Sequence, residues 1–167
     1  MKNKILKIVL FLPLCLFFAC EQMNEPELGV PFSKVEGIND QWILESIVQV
    51  DLLTSASQNS VDVTRIMLGD DPAEIEFSSA DFTFDLDAKS SKIFLPESGS
   101  WSFDNNDFPS LINMESQGQS TSLSLLAPVR AEVDEYLYFQ YTRPIGDCAV
   151  LEEGEGAVAY KYRFKRK

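Results

Sequence analysis

The sequence predicts an all-β domain, an antiparallel up-and-down barrel of about eight strands, carried behind a secretion signal and a tether. Three observations predict it. From Gln41 onward, apolar and polar residues alternate in short runs, the period of a half-buried strand. Clusters of Ser, Asp, Asn and Gly separate the runs at regular intervals, as turns do. No long segment places apolar residues at three- and four-residue intervals, so helical templates fit poorly. Short strands joined by turns imply either a barrel or a β-sandwich. Closure into a barrel removes exposed edges, and the sandwich is the alternative.

Residues 1–19 read as the signal. Lys2, Lys4 and Lys7 precede twelve apolar residues, Ile8 to Ala19, fewer than the roughly twenty that a membrane-crossing helix needs. The tail Leu16-Phe17-Phe18-Ala19-Cys20 resembles the lipobox of bacterial lipoproteins, with Phe17 where Leu, Val or Ile is usual. Small Ala19 precedes Cys20, whereas Cys15 follows bulky Leu14. The resemblance implies cleavage before Cys20 and lipidation of its thiol, making the membrane the first expected partner. Two acyl chains suffice for stable attachment.

Residues 20–39 are expected to form the tether. They show no period and carry Pro26, Pro31, Gly29, Gly37 and a scatter of glutamates. If flexible throughout, such a segment reaches on the order of 25 Å. Val30, Phe32, Val35 and Ile38 are the residues able to dock part of it on the domain.

Residues 40–167 form the expected barrel. "WILESIVQV" opens it. "EIEF" and "FTFDLD" follow, the latter with Phe82, Phe84 and Leu86 on one face and Thr83, Asp85 and Asp87 on the other. Next come "GSWSF", "SLINM", "STSLSLL" and "YLYFQYT". "VAYKYRFK" is the cleanest, with Val158, Tyr160, Tyr162 and Phe164 opposite Ala159, Lys161, Arg163 and Lys165. Short extra strands are possible at Val61–Leu68 and Ile93–Leu95, although "DVTRIML" also suits a turn or two of helix. The basic end reads as a strand with a frayed tip.

Charge and cysteine usage exclude several functions. The chain has 26 acidic against 14 basic residues, a net charge of −12 that becomes −15 once the three signal lysines are removed. Such a field repels nucleic-acid phosphates, so no nucleic acid is expected as partner. With Cys20 acylated, Cys148 has no partner for a disulfide, and its sequence neighbours Asp147, Glu152 and Glu153 oppose a reactive thiolate. The core alone must hold the fold.

The chain contains no histidine, which removes the commonest general base and the commonest metal ligand. No enzyme activity, cofactor or metal site is expected. Asp85 and Asp87, two apart on an outward face, read as solvated charges rather than an acid and base. "DNND", Asp104 to Asp107, lacks the glycine and distant glutamate of a calcium loop and reads as a polar turn.

Taken in order, "PFSKVEGINDQWILESIVQVD", "GDDPAEIEFSSADFTFDLD", "SGSWSFDNNDFPSLI", "SLSLLAP" and "YKYRFKRK" resemble a group of small lipocalin-like lipoproteins of Bacteroidetes of unassigned function. The resemblance covers nearly the whole mature chain. It implies a lipocalin-like barrel on an outer-membrane lipoprotein, in organisms that assemble surface complexes for nutrient capture, and carries over no catalytic residue. Glu21, Glu25 and Glu27, just after the lipid site, resemble acidic surface-export signals, so the periplasmic and the outer face both stay open.

In lipocalins a Gly, one residue, then Trp opens the barrel, and an Arg from a late strand covers the indole. Here four residues separate Gly37 from Trp42. Trp42 is expected to close the barrel, with Arg143 or Arg163 as its cover. Fifteen bulky rings lie in residues 40–167, and each buries roughly 150–250 Å². The inward set is Trp42, Phe77, Phe82, Phe84, Trp101, Phe103, Phe139, Tyr160, Tyr162 and Phe164. An eight-stranded barrel holds side chains or one small ligand, so this set fills the bore and leaves at most a shallow mouth.

If Leu137, Phe139 and Tyr141 face inward, Tyr136 and Tyr138 face out beside Arg163 and Lys165. These are the possible ligand or interface contacts. The expected role is a binding module for a glycan, peptide or small apolar molecule, or a non-catalytic accessory subunit of an outer-membrane nutrient-uptake assembly.

Overall fold

Alternation builds the strands, and the first and last of them pair. A computed structural model describes residues 33–53, 59–130, 135–144 and 156–167. Among these residues nine antiparallel strands follow one another: β1 (Gln41–Asp51), β2 (Ser60–Asp62), β3 (Glu74–Ser78), β4 (Thr83–Asp87), β5 (Ser98–Phe103), β6 (Leu111–Ser116), β7 (Gln119–Leu125), β8 (Tyr136–Pro144) and β9 (Gly156–Arg166). Each of β3 to β8 pairs with the next, β3 pairs with β1, and β9 returns to β1 from Trp42↔Arg166 to Asp51↔Val158. Eight strands thus close an up-and-down, lipocalin-like barrel, and the β1–β9 ladder excludes a sandwich.

Strand β2 is the ninth. It takes the part of β1's second edge that β3 leaves open, pairing Val48↔Asp62 and Val50↔Ser60. Between β2 and β3 the chain makes one helical turn, α2 (Thr64–Met67). Of the two possible extra strands, the first is therefore a three-residue strand plus a turn of helix. The second, around Ile93–Leu95, is loop, because its residues cross the barrel mouth instead of lying along a strand.

Ser33–Ile38 packs against the base of the barrel. Ser33 caps α1 (Lys34–Ile38) by accepting from the Glu36 amide at 3.2 Å, satisfying a first-turn donor. Ile38 is fully buried and Val35 packs on the core, the docking those two side chains allow. The Trp42 indole N–H donates to the Ile38 carbonyl at 2.9 Å, and Trp42 closes this end. Its cover is neither Arg143 nor Arg163 but Arg166, whose guanidinium carbon sits 4.6 Å from the indole centroid. The reason is register: Arg166 is the cross-strand partner of Trp42. Nor does the basic end fray, since the Arg166 amide donates to Glu135 and that of Lys167 to Gln41, both at 2.9 Å.

Rings fill the bore. Trp101 meets Phe103 at 5.2 Å and Phe77 at 5.9 Å; Phe77 meets Phe139 at 6.1 Å, which meets Phe164 at 6.0 Å. Mostly edge-on contacts of this kind are the favoured geometry for aromatic pairs. Phe82, expected inward, is the exception at 43 % exposure. It occupies the last position of the β3–β4 turn at φ 53°, outside the alternation of β4, and leans on Trp101 from the rim at 5.4 Å.

The β4–β5 loop caps the other end. Ser91 Oγ donates to Leu68 O at 2.6 Å and accepts from the Ala73 amide at 2.9 Å, while the Lys92 amide donates to Met67 O at 2.6 Å. Pinned there, the loop lays Phe94 against Tyr160 at 4.8 Å, with the Arg143 guanidinium 5.3 Å from the Phe94 centroid. The Phe94 amide donates to the buried Tyr162 hydroxyl at 3.3 Å. Among the described residues no helix is long and apolar enough to cross a membrane.

Candidate functional site

With a ring-packed bore and both ends covered, the chemistry available to a ligand lies outside. The outer faces of β8 and β9 place Tyr136 opposite Lys165, Tyr138 opposite Arg163 and Gln140 opposite Lys161, the juxtaposition that alternation implies. Tyr136 and Tyr138 are half-buried, with ring centroids 6.2 Å apart and planes at 41°. The Arg163 guanidinium carbon lies 5.3 Å from the Tyr136 centroid.

Glu45 completes this cluster, and sequence reasoning missed it. The β1–β9 register slips between Leu44 and Ser46, so Glu45 is the extra residue of a bulge and shares the outer face with Ser46. Bulges commonly re-aim a side chain in this way. Glu45 Oε2 lies 2.7 Å from Arg163 Nη2, an ion contact without the alignment of a hydrogen bond, and the buried Arg163 Nε has no acceptor among the described residues. A signal was present: buried positions in β1 step from Leu44 to Ile47, three residues where alternation demands two.

Beyond Glu45 the wall opens into a groove of about 880 Å³ lined by Glu45, Ser46, Asp62, Thr64, Arg65 and Ile66. Thr64 fixes α2 against β1, its Oγ1 accepting from the Ile47 amide at 2.9 Å and donating to Ile47 O at 3.3 Å. Hydrogen bonds from Thr64 also hold the Asp62 carboxyl below its ordinary range. Along the wall, then, run two phenol rings, a guanidinium set against a carboxylate, and a polar groove. Rings of this kind stack on sugar faces and anchor protein interfaces, while the flanking groups supply hydrogen bonds.

The other sequence-derived positions do not join this cluster. Trp42 is sealed in the base at 1 % exposure. Cys20 and Cys148 lie outside the described residues. Asp104 serves its own loop, accepting from the Ser110 and Leu111 amides and the Ser110 hydroxyl, which is the polar turn expected there.

No family model matches the chain, nor does any curated protein or solved structure.

Proposed function

We propose that this protein is a non-catalytic binding module, held in the outer membrane by a lipid on Cys20, that takes its ligand on the barrel wall at Tyr136, Tyr138 and Arg163. The observation that carries this reading is the pairing of a ring-filled bore with an aromatic, hydrogen-bonding outer face. A filled bore disfavours a small apolar ligand inside. Two neighbouring phenols flanked by Glu45 and Arg163 favour a glycan strand, whose ring faces stack while its hydroxyls bond to charged groups.

The anchor rests on the lipobox-like tail and on the resemblance to lipocalin-like lipoproteins of Bacteroidetes. Palmitate labelling that disappears in Cys20→Ala supports it, and labelling that persists removes it. For the ligand, the detergent-purified protein is applied to immobilised neutral and acidic polysaccharides. Retention that falls at least tenfold in Tyr136→Ala with Tyr138→Ala supports the wall site, and unchanged retention, or none on any polysaccharide, rejects it.

The second reading, an accessory subunit of an outer-membrane nutrient-uptake assembly, draws on the same surface, since Tyr and Arg are enriched in interface centres. A stoichiometric protein partner, recovered in mild detergent and lost in the same tyrosine variant, selects it.

A further inference from the structure

We propose that the base of the barrel is a membrane-facing surface, resting on the bilayer through Phe108 and the apolar rim around it; this orientation rests on the lipid-anchor reading. The up-and-down order sends the β3–β4 turn, the β5–β6 loop and the β7–β8 loop to the same end as α1, where the Ser79 amide donates to Asn39 Oδ1 at 2.7 Å. That end exposes Phe108 at 84 %, the highest value for a large hydrophobic side chain among the described residues, together with Leu126 and Phe82. Phe108, Pro109, Leu126 and Pro128 border one open groove of about 390 Å³ that reaches Lys34 of α1. Single exposed rings are ordinary, whereas a contiguous apolar rim marks a protein or membrane contact.

The exposure of Phe108 is built into its loop. Asn105 Oδ1 accepts from the Asp107 amide at 2.9 Å and from the Phe108 amide at 3.2 Å, while the Asp104 carboxylate takes the Ser110 and Leu111 amides and the Ser110 hydroxyl. The Leu125 amide donates to Ser110 O at 2.8 Å and ties the loop to the end of β7. The loop's polar side chains thus turn onto its own backbone and leave the ring outside. A ring held this way loses little freedom on entering an apolar phase, so ordering of the loop does not offset its burial. Lys34 and Asp107 line the same groove, one charge of each sign, which suits a zwitterionic headgroup layer.

The course of the chain selects a bilayer as the occupant. Ser33, the N-cap of α1, enters the domain at this end, thirteen positions after Cys20. Even fully extended, that length spans no more than about 45 Å. A lipid on Cys20 therefore keeps the base close to the headgroups and makes docking an intramolecular event, with an effective concentration on the order of millimolar for a short tether. A few apolar side chains, too weak to hold an untethered protein, then suffice. Leu52 and Leu53 are also exposed, but they follow the far end of the eleven-residue β1, a barrel length from the point of entry. With the base down, the mouth points away from the membrane.

The test places the protein, purified from membranes, in phosphatidylcholine vesicles and reads tryptophan emission from Phe108→Trp, Leu126→Trp and, at the mouth, Phe94→Trp. The signal of buried Trp42 and Trp101, measured in the unaltered protein, is subtracted. The indoles of Phe108→Trp and Leu126→Trp are expected to shift to shorter wavelength, to be quenched by lipids with brominated acyl chains and to lose most of their quenching by iodide. Phe94→Trp is expected to show the reverse. An iodide-accessible indole at position 108, brominated-lipid quenching as strong at position 94, or shielding from iodide without quenching by brominated chains, the mark of a protein neighbour such as a second copy, overturns the proposal. Flotation of the vesicles and palmitate labelling are read alongside. A chain that neither floats nor takes up label removes the anchor and the orientation together, whereas a chain that floats with an accessible indole at position 108 overturns the orientation alone.

Discussion

Arg166 lies over the indole of Trp42 at 4.6 Å while its Nη1 holds Asp40 Oδ2 at 2.8 Å and its Nη2 donates to Gly37 O at 3.1 Å. One side chain thus ties the last strand to the first and to the segment entering the domain. Arg166→Ala removes the cation–π contact and two charged hydrogen bonds, and an expected loss of about 2 kcal/mol follows. Urea unfolding followed by tryptophan fluorescence measures it, together with a red shift of native emission. Arg166→Lys is expected to recover less than half, because a point charge cannot stack and fork together.

Tyr162 holds the mouth loop by accepting from the Phe94 amide. Tyr162→Phe is expected to cost about 1 kcal/mol and to speed hydrogen exchange at Phe94 more than at β-ladder amides. Burial pushes the Tyr162 phenol well above its ordinary value. Its neutral form therefore contributes stability that is complete below the unfolded pKa near 10 and declines as pH rises above it. Alkaline unfolding that is steeper in the unaltered protein than in Tyr162→Phe is the expected result.

Asp104 works at the opposite end of the pH scale. The Ser110 hydroxyl, then the Leu111 amide, hold its carboxyl down to about 2 from 3.8. A depressed carboxyl stabilises above its unfolded pKa and loses that contribution as pH falls through the folded value. The β5–β6 loop is accordingly expected to loosen between about pH 4 and pH 2, seen as faster exchange at Ser110 and Leu111. Asp104→Asn is expected to show that exchange already at neutral pH.

Gly99 marks a close approach of two strands. A Cβ built there would lie 1.9 Å from the Glu115 carbonyl oxygen, which is backbone and cannot swing aside. Gly99→Ala is expected to separate β5 from β6 and to cost about 2 kcal/mol, measured as a lower urea midpoint. Gly118→Ala, whose Cβ would meet nothing within 4 Å, is the control without a clash, reporting only chain entropy and the backbone strain of a φ of 80°.

Period-two patterning made the strands, and most of the ring-lined interior, legible from residues alone. Phe82 escaped because alternation does not reveal where a strand begins, and its place in a turn freed it from the inward phase. Arg166 escaped for a different reason: pairing Trp42 with a residue 124 positions later is set by long-range register, which no local pattern encodes. The wall tyrosines and Arg163 were legible once β8 and β9 were taken as neighbours. Glu45 was hidden by assuming an unbroken period through β1, where the three-residue step from Leu44 to Ile47 records the bulge.

The ladder between β1 and β9 also bears on the order of events during folding. Neighbouring hairpins from β3 to β8 zip up locally, but the seam that makes the wall continuous joins strands at opposite ends of the domain. Contacts so distant in sequence form slowly, and β1 has no β9 to meet until every strand between them has been made. Until then the sheet stays open along that one seam, with the facing edges of β1 and β9 the last backbone groups to find partners.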